Sequence, residues 1–408
     1  MPEISFENLI IVAAAAFVAP LVLGLAPGFR LPAIVLEIIF GIIIGPAGFG
    51  WVEIDAAVQL MALIGLAFLL LVAGLEVDYD RLRGRLLGIT SVAWLASFGL
   101  ALLAGYVLDA GGFVNSPLLI AIAISATGLG VVIPILKDAE QISTMFGRVV
   151  VAGCSIAEIA TLILLSLFFS GESSSVGSTA VLLGIFAGLV LATAFAFFFA
   201  EHSGRLSQTF RRLQDTTAQI RVRGAFLLLV LSVVIAEEFG LEAILGTFLA
   251  GAILKILDRD QMMTHPEFRH KLEAAAFGIF IPFFFVTSGL RFNLDALFES
   301  GETIARVPIF LAALLFARGL PVLFYRRLVK GRTMLVSAAL LQGTSISFLV
   351  VVSQIGLELE VISEGSAAAL IAAGLLSVIL FPISALTLLR REGRARAAAA
   401  PEPTALVG

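Results

Sequence analysis

Thirteen apolar runs, most of them near twenty residues long, follow one another along this chain with short connections between them. They fall at about 7–25, 31–48, 56–75, 86–108, 116–136, 148–169, 178–200, 224–240, 242–257, 272–290, 303–325, 333–355 and 365–389. About 20 apolar residues cross the hydrocarbon core as a helix, whereas a lipid-exposed strand edge leaves backbone groups without partners. The pattern therefore predicts an all-α polytopic membrane protein with about 13 transmembrane helices. Of the 408 residues 60% are hydrophobic and 14% charged, a balance foreign to a water-soluble domain. A net charge of -4 argues against a nucleic-acid partner. The single cysteine, Cys154, excludes an internal disulfide, and with three histidines it makes a poor zinc site. No P-loop is present, so the chain shows no sign of ATP-driven pumping, and neither enzyme chemistry nor a cofactor is expected. The acidic start lacks the positive region of a secretory signal, which makes the first run a permanent helix.

The basic residues set a direction. With the N-terminus outside and thirteen spans alternating, all 26 lysines and arginines except Arg291, Arg306 and Arg318 fall on inner connections. Outer connections are mostly acidic, with Glu53, Asp55, Asp109, Glu172, Glu358, Glu360 and Glu364. The positive-inside bias thus predicts a multi-pass protein of the cell membrane with its C-terminus in the cytoplasm. Residues 1–390 form the membrane domain, and the Ala-, Pro- and Arg-rich stretch 391–408 is expected to be a disordered cytoplasmic tail.

The two halves resemble each other. FLLLVAGLEVDYDRL (68–82) aligns with FFFVTSGLRFNLDAL (283–297), and ISATGLGVV (124–132) with LQGTSISFL (341–349), placing Thr127 over Thr344. FGIIIGPAG (40–48) matches GTFLAGAIL (246–254) more loosely. The third run then corresponds to the tenth and the fifth to the twelfth. An offset of seven spans reverses direction across the bilayer, the signature of an inverted repeat. Both the fifth and twelfth runs are interrupted near their middles, by Ser125-Ala-Thr-Gly-Leu-Gly130 and by Gln342-Gly-Thr-Ser-Ile-Ser347. Glycine permits irregular backbone and hydroxyls satisfy freed groups, so paired breaks point to a midplane site. Close packing through small residues accounts for one such cluster but less well for two in matching places.

Glu158 lies about ten residues from either end of the sixth run. A charge at that depth costs about 2.5–3.5 kcal/mol on insertion scales and marks an ion or proton path. Ser155 and Thr161 share its helical face, where their hydroxyls would help coordinate a small cation. The alternative is a permanently protonated structural acid. Arg318 is the one basic residue inside a span, and a buried arginine needs an anion or backbone carbonyls, with Glu158 the natural anion. Glu37, inside the second run, pairs locally or lines an inner funnel; His202, His265 and His270 fall on inner loops.

These stretches, with LPAIVLEIIFGIIIGPAGFG (31–50), LGTFLAGAIL (245–254), IPFFFVTSGL (281–290) and LLQGTSISFLVVVSQIGL (340–357), resemble the monovalent cation:proton antiporter-2 family over about residues 8 to 390. The resemblance implies a sodium/hydrogen exchanger domain with a core and a dimerisation scaffold interleaved, two crossed broken helices, and a homodimer in lipid. It implies exchange of Na+ or K+ for H+ by elevator-like movement of the core. Thr127, Gln342 and Thr344 fall on the crossovers, Glu158 replaces the family's ion-binding aspartate, and Arg318 stands for its core cation. Ala157-Glu158 departs from the usual pattern, in which an acid or amide precedes the aspartate; one carboxylate fits one proton per cation. Two other readings stand beside it: an anion or organic-solute symporter, and a non-transporting sensor or channel on the same fold.

Overall fold

The computed structural model describes residues 6–25, 32–76, 84–169, 219–238, 243–257 and 266–398, with isolated helical positions between 181 and 192. Every regular element among the described residues is helical. In chain order these are α1 (Glu7–Leu25), α2 (Ala33–Ile44), α3 (Ala56–Glu76), α4 (Gly84–Ala110), α5 (Pro117–Ser125), α6 (Leu129–Asp138) and α7 (Met145–Phe169). The second half holds α8 (Ile220–Glu238), α9 (Ala243–Leu257), α10 (Pro266–Ala275), α11 (Ile281–Leu290), α12 (Leu294–Phe298) and α13 (Gly301–Gly319). It ends with α14 (Arg332–Gln342), α15 (Ser347–Glu358) and α16 (Glu364–Ala398). Among the described residues eight helical stretches are long and apolar enough to cross a membrane, with three shorter apolar helices beside them. Most of the run at 178–200, and Glu172, His202 and His265, lie outside the described residues.

The chain folds as two compact units, each assembled from both halves: residues 1–80 with 159–299, and residues 81–158 with 300–408.

In the first unit the helices meet through glycine. A Cβ on Gly41 would lie 2.8 Å from the Cα of Gly289 and nearer still to the carbonyl of Val286, so α2 and α11 cross backbone to backbone. Gly251 of α9 does the same against Leu71 and Gly74 of α3. Without a hydrophobic drive between helices in lipid, such close approach is how dispersion and backbone contacts hold them. The two crossings are one device used twice: α2 and α9 carry the loosely matching repeat segments, α3 and α11 the well-matching ones, and each helix pairs across the halves. Before α11, Pro282 lacks the amide that would bond the carbonyl of Gly278, and the chain takes a π turn over Ala276–Phe280. Glu37 is buried in α2.

At the start of α3, Asp55 is the helix cap. The Val58 amide donates to its Oδ1 at 2.9 Å and the Asn8 amide to its Oδ2 at 3.1 Å, which ties α1 to α3. The Val58 bond, joined by that of Asn8, holds the exposed carboxyl below its ordinary 3.8.

In the second unit two helices are interrupted. Residues 126–128 separate α5 from α6, and 343–346 separate α14 from α15. After α13 the chain tightens into a 3-10 segment, Leu320–Arg327, and α13, α14 and α15 all pack on α16. One expectation fails here: α16 continues to Ala398, so residues 391–398, expected to be disordered, are helical. Arg-Arg-Glu-Gly-Arg-Ala-Arg-Ala-Ala is rich in helix formers and extends a helix already nucleated, so only the cheap propagation step remains. Residues 399–408 lie outside the described residues.

Two outcomes follow from this packing. Gly251→Val should lower thermal stability in detergent by more than about 3 kcal/mol, because backbone rather than a pliable side chain occupies the space. Asp55→Ala should cost about 1 kcal/mol as a lost cap. A carboxyl with a lowered folded pKa stabilises above its unfolded value of 3.8 and loses that contribution as pH falls through the folded one. Melting curves at pH 7 and at pH 3 should therefore separate wild type from Asp55→Ala clearly at the first and less at the second.

Candidate functional site

Breaking a helix at membrane depth frees carbonyls and amides that no water satisfies. In the second unit several of these freed groups have identifiable partners. The carbonyl of Gln342, which closes α14, accepts from the Thr127 hydroxyl at 2.7 Å. The amide of Gly128, just before α6, donates to the carbonyl of Thr344 at 2.9 Å. Two hydrogen bonds thus tie the breaks together, both donated by the first and accepted by the second. Ser377 on α16 holds the second break from outside: its hydroxyl accepts from the Ser345 amide at 3.1 Å and lies 3.0 Å from the Ser345 carbonyl.

Arg318 reaches this knot from the end of α13 and is 2% exposed. Its Nε donates to the Thr127 hydroxyl at 2.9 Å and to the Gln342 carbonyl at 3.3 Å, and its Nη1 donates to Ser97 on α4 at 3.2 Å. Gln342 is the last residue of α14, where the helix dipole is negative and carbonyls lack helical partners, so a cation is stabilised there. The expected Arg318–Glu158 ion pair is not among the contacts of this guanidinium. Backbone and hydroxyl oxygens take its place, the other of the two partner types open to a buried arginine.

α7 runs beside the knot. Gly153 leaves room for it: a Cβ there would sit 2.9 Å from the Tyr325 hydroxyl and closer to the Gln342 amide nitrogen. That amide nitrogen donates to the Tyr325 hydroxyl at 3.4 Å. Cys154, next on the helix, is buried. Glu158 follows one turn later and is half-buried; Ser155 and Thr161 are buried. The Ser155 hydroxyl has no hydrogen-bond partner among the described residues.

The sequence-derived residues therefore fall into two sets. Thr127, Gln342, Thr344 and Arg318 meet at the crossover, while Ser155, Glu158 and Thr161 line α7. Two hydroxyls expected at the break turn back onto their own helices: Ser125 donates to the Ile122 carbonyl at 3.0 Å and Thr344 to that of Leu340 at 3.1 Å. Ser97, Tyr325, Gly153 and Ser377 escaped sequence reasoning. Each is a small or amphipathic residue within or beside an apolar run, and only the deeply placed serines offered a signal. Among the described residues no cluster of three or more His, Cys, Asp or Glu forms a metal site. What the arrangement offers is one carboxylate with nearby neutral oxygens, suited to a proton or a single small cation.

Gly153→Val should separate α7 from the crossover. Its expected effect is a lower melting temperature in detergent for protein that still inserts, with Gly153→Ala intermediate.

The sodium/hydrogen exchanger transmembrane family model matches residues 13–391. A Bacillus subtilis (strain 168) protein named "Putative Na(+)/H(+) antiporter YjbQ" is 31% identical over 96% of this chain, which spans 64% of that relative's length. "Probable Na(+)/H(+) antiporter 3" of Methanocaldococcus jannaschii is 28% identical over 90% of this chain and 92% of its own. In fold, the chain is similar to the sodium proton antiporter MjNhaP1 of Methanocaldococcus jannaschii, with a TM-score of 0.68, 18% identity, and 95% and 97% of the two chains covered. The chain is a multi-pass integral membrane protein that belongs to the sodium/hydrogen exchanger transmembrane family.

Proposed function

We propose that this protein is a secondary antiporter that exchanges Na+ or K+ for H+, with Glu158 as the shared site. The observation that carries the reading is the pair of helix breaks bonded through Thr127 and Gln342 and held by a buried arginine, with one carboxylate on the adjoining helix. The names of the relatives support the same activity.

One carboxylate cannot hold a proton and a cation together, because protonation removes the charge that attracts the cation. Competition then suffices for exchange: the carrier crosses loaded with either ion and resists crossing as a bare buried anion. Ser155 and Thr161 supply neutral oxygens to the cation. Arg318 fixes the crossover through the Thr127 hydroxyl and the Gln342 carbonyl. One proton per monovalent cation makes the cycle electroneutral. We further propose that the unit of residues 81–158 and 300–408 is the moving core of an elevator and the other unit the scaffold of a homodimer. The N-terminus is outside and the C-terminus cytoplasmic, in keeping with the basic residues.

A second reading has one specific observation behind it: Nη2 of Arg318 is buried with no hydrogen-bond partner among the described residues, a donor that a carboxylate solute would satisfy. Flux separates the two. In proteoliposomes carrying a proton-sensitive dye, Na+, K+ or Li+ added in turn should drive proton movement that is insensitive to clamped voltage. Glu158→Gln should reduce that flux at least a hundredfold while the protein stays folded. Glu158→Asp should keep part of it with altered cation preference, and Arg318→Ala should lose more than Arg318→Lys. Full exchange by Glu158→Gln sinks the mechanism, and solute uptake without cation dependence installs the symporter.

A further inference from the structure

The second unit carries a feature that ion exchange does not use. A groove of about 580 Å³ runs along α4 and the end of α13 with its 3-10 extension. Its walls are apolar: Ile89, Ala96 and Leu100 on one side, Leu320, Pro321, Leu323 and Phe324 on the other. Three arginines, Arg85, Arg326 and Arg327, stand at one end. All three are exposed, and none makes an ion pair among the described residues. Leu323 and Phe324 are also open, at 58% and 49% exposure.

We propose that this groove binds an anionic phospholipid, its phosphate among Arg85, Arg326 and Arg327 and an acyl chain along the apolar wall. Length fits. From Arg85 to Leu100 α4 rises about 22 Å, and one leaflet's hydrocarbon is about 15 Å deep, so the wall outlasts a leaflet from the headgroup level inward. Charge fits as well. One arginine near a membrane boundary snorkels to water without needing a ligand, but three lining one apolar groove gather positive charge that an anion would offset. Basic pockets between transmembrane helices are the places where anionic headgroups lodge. A soluble anion would use the arginines and leave the wall bare; a neutral lipid would do the reverse.

The site also abuts the crossover. Ala96 and Leu320 line the groove, and their immediate neighbourhood holds Ser97 and Arg318, which are hydrogen-bonded to each other. A lipid seated there packs against the wall that keeps Arg318 on the Gln342 carbonyl.

Binding is read without reference to transport, so failure of the antiport reading leaves this test intact. Full-length protein in neutral detergent is titrated with dioleoylphosphatidylglycerol, dioleoylphosphatidylcholine or inorganic phosphate, and thermal unfolding and native mass spectra are recorded. Phosphatidylglycerol alone should raise the melting temperature and give a bound-lipid peak. Replacing all three arginines with glutamine should weaken it about a hundredfold, from roughly fivefold for each charge near a membrane surface. Ala96→Phe, which narrows the groove and leaves the arginines in place, should weaken it too. Equal response to phosphatidylcholine, an equal shift with phosphate, or full phosphatidylglycerol binding by both variants overturns the proposal. So does a change in oligomeric mass with Ala96→Phe and no lipid dependence, which assigns the groove to a second copy of this chain.

Discussion

Everything else in the second unit is arranged around one constraint: two helices stop and restart inside the membrane, and every backbone group this frees needs a partner from the protein. The solution is reciprocal. The end of α14 is satisfied from the first break by the Thr127 hydroxyl, and the start of α6 is satisfied from the second by the Thr344 carbonyl. Each half of the sequence thus supplies a partner for a group that the other frees. Inside a low-dielectric interior these bonds are stronger than in water, and leaving one unmade costs correspondingly more.

The inverted repeat explains why both units are built from distant parts of the chain. In the first unit the crossings of α2 with α11 and of α3 with α9 repeat one glycine-to-backbone contact with the halves exchanged. The second unit is less even-handed. Arg318 binds the carbonyl end of α14, and among the described residues no such cation bonds the end of α5, where Ala126 and Ser125 donate to their own helix. A symmetric frame has thus received one positive charge on one side.

Much of this was legible in the sequence because the bilayer makes the rules coarse and strong. Run lengths located the helices, and the aligned polar interruptions located both breaks and their principal residues. Depth alone singled out Glu158 and Arg318. What the sequence leaves open is direction. Thr344 lies in the second break and Ser125 closes the helix before the first, and their hydroxyls point back along their helices, because a carbonyl three or four residues earlier is always within reach. Ser97 and Ser377 look like ordinary small residues in apolar runs; only the neighbour each one faces makes it a strut. Composition alone marks residues 391–398 as a tail; the helix that precedes them carries them on as helix.

The partner of Arg318 is the point where structure alters the chemistry most. Had the guanidinium been paired with Glu158, a cation or a proton would have to break a buried ion pair before binding, at a cost of about 3–5 kcal/mol for the charge left behind. Bound instead to a helix end and two hydroxyls, the arginine is stabilised whatever the carboxylate carries. Under the proposed exchange, that separates two duties a paired site would mix: one group holds the crossover in shape through the whole cycle, and the other alone changes state.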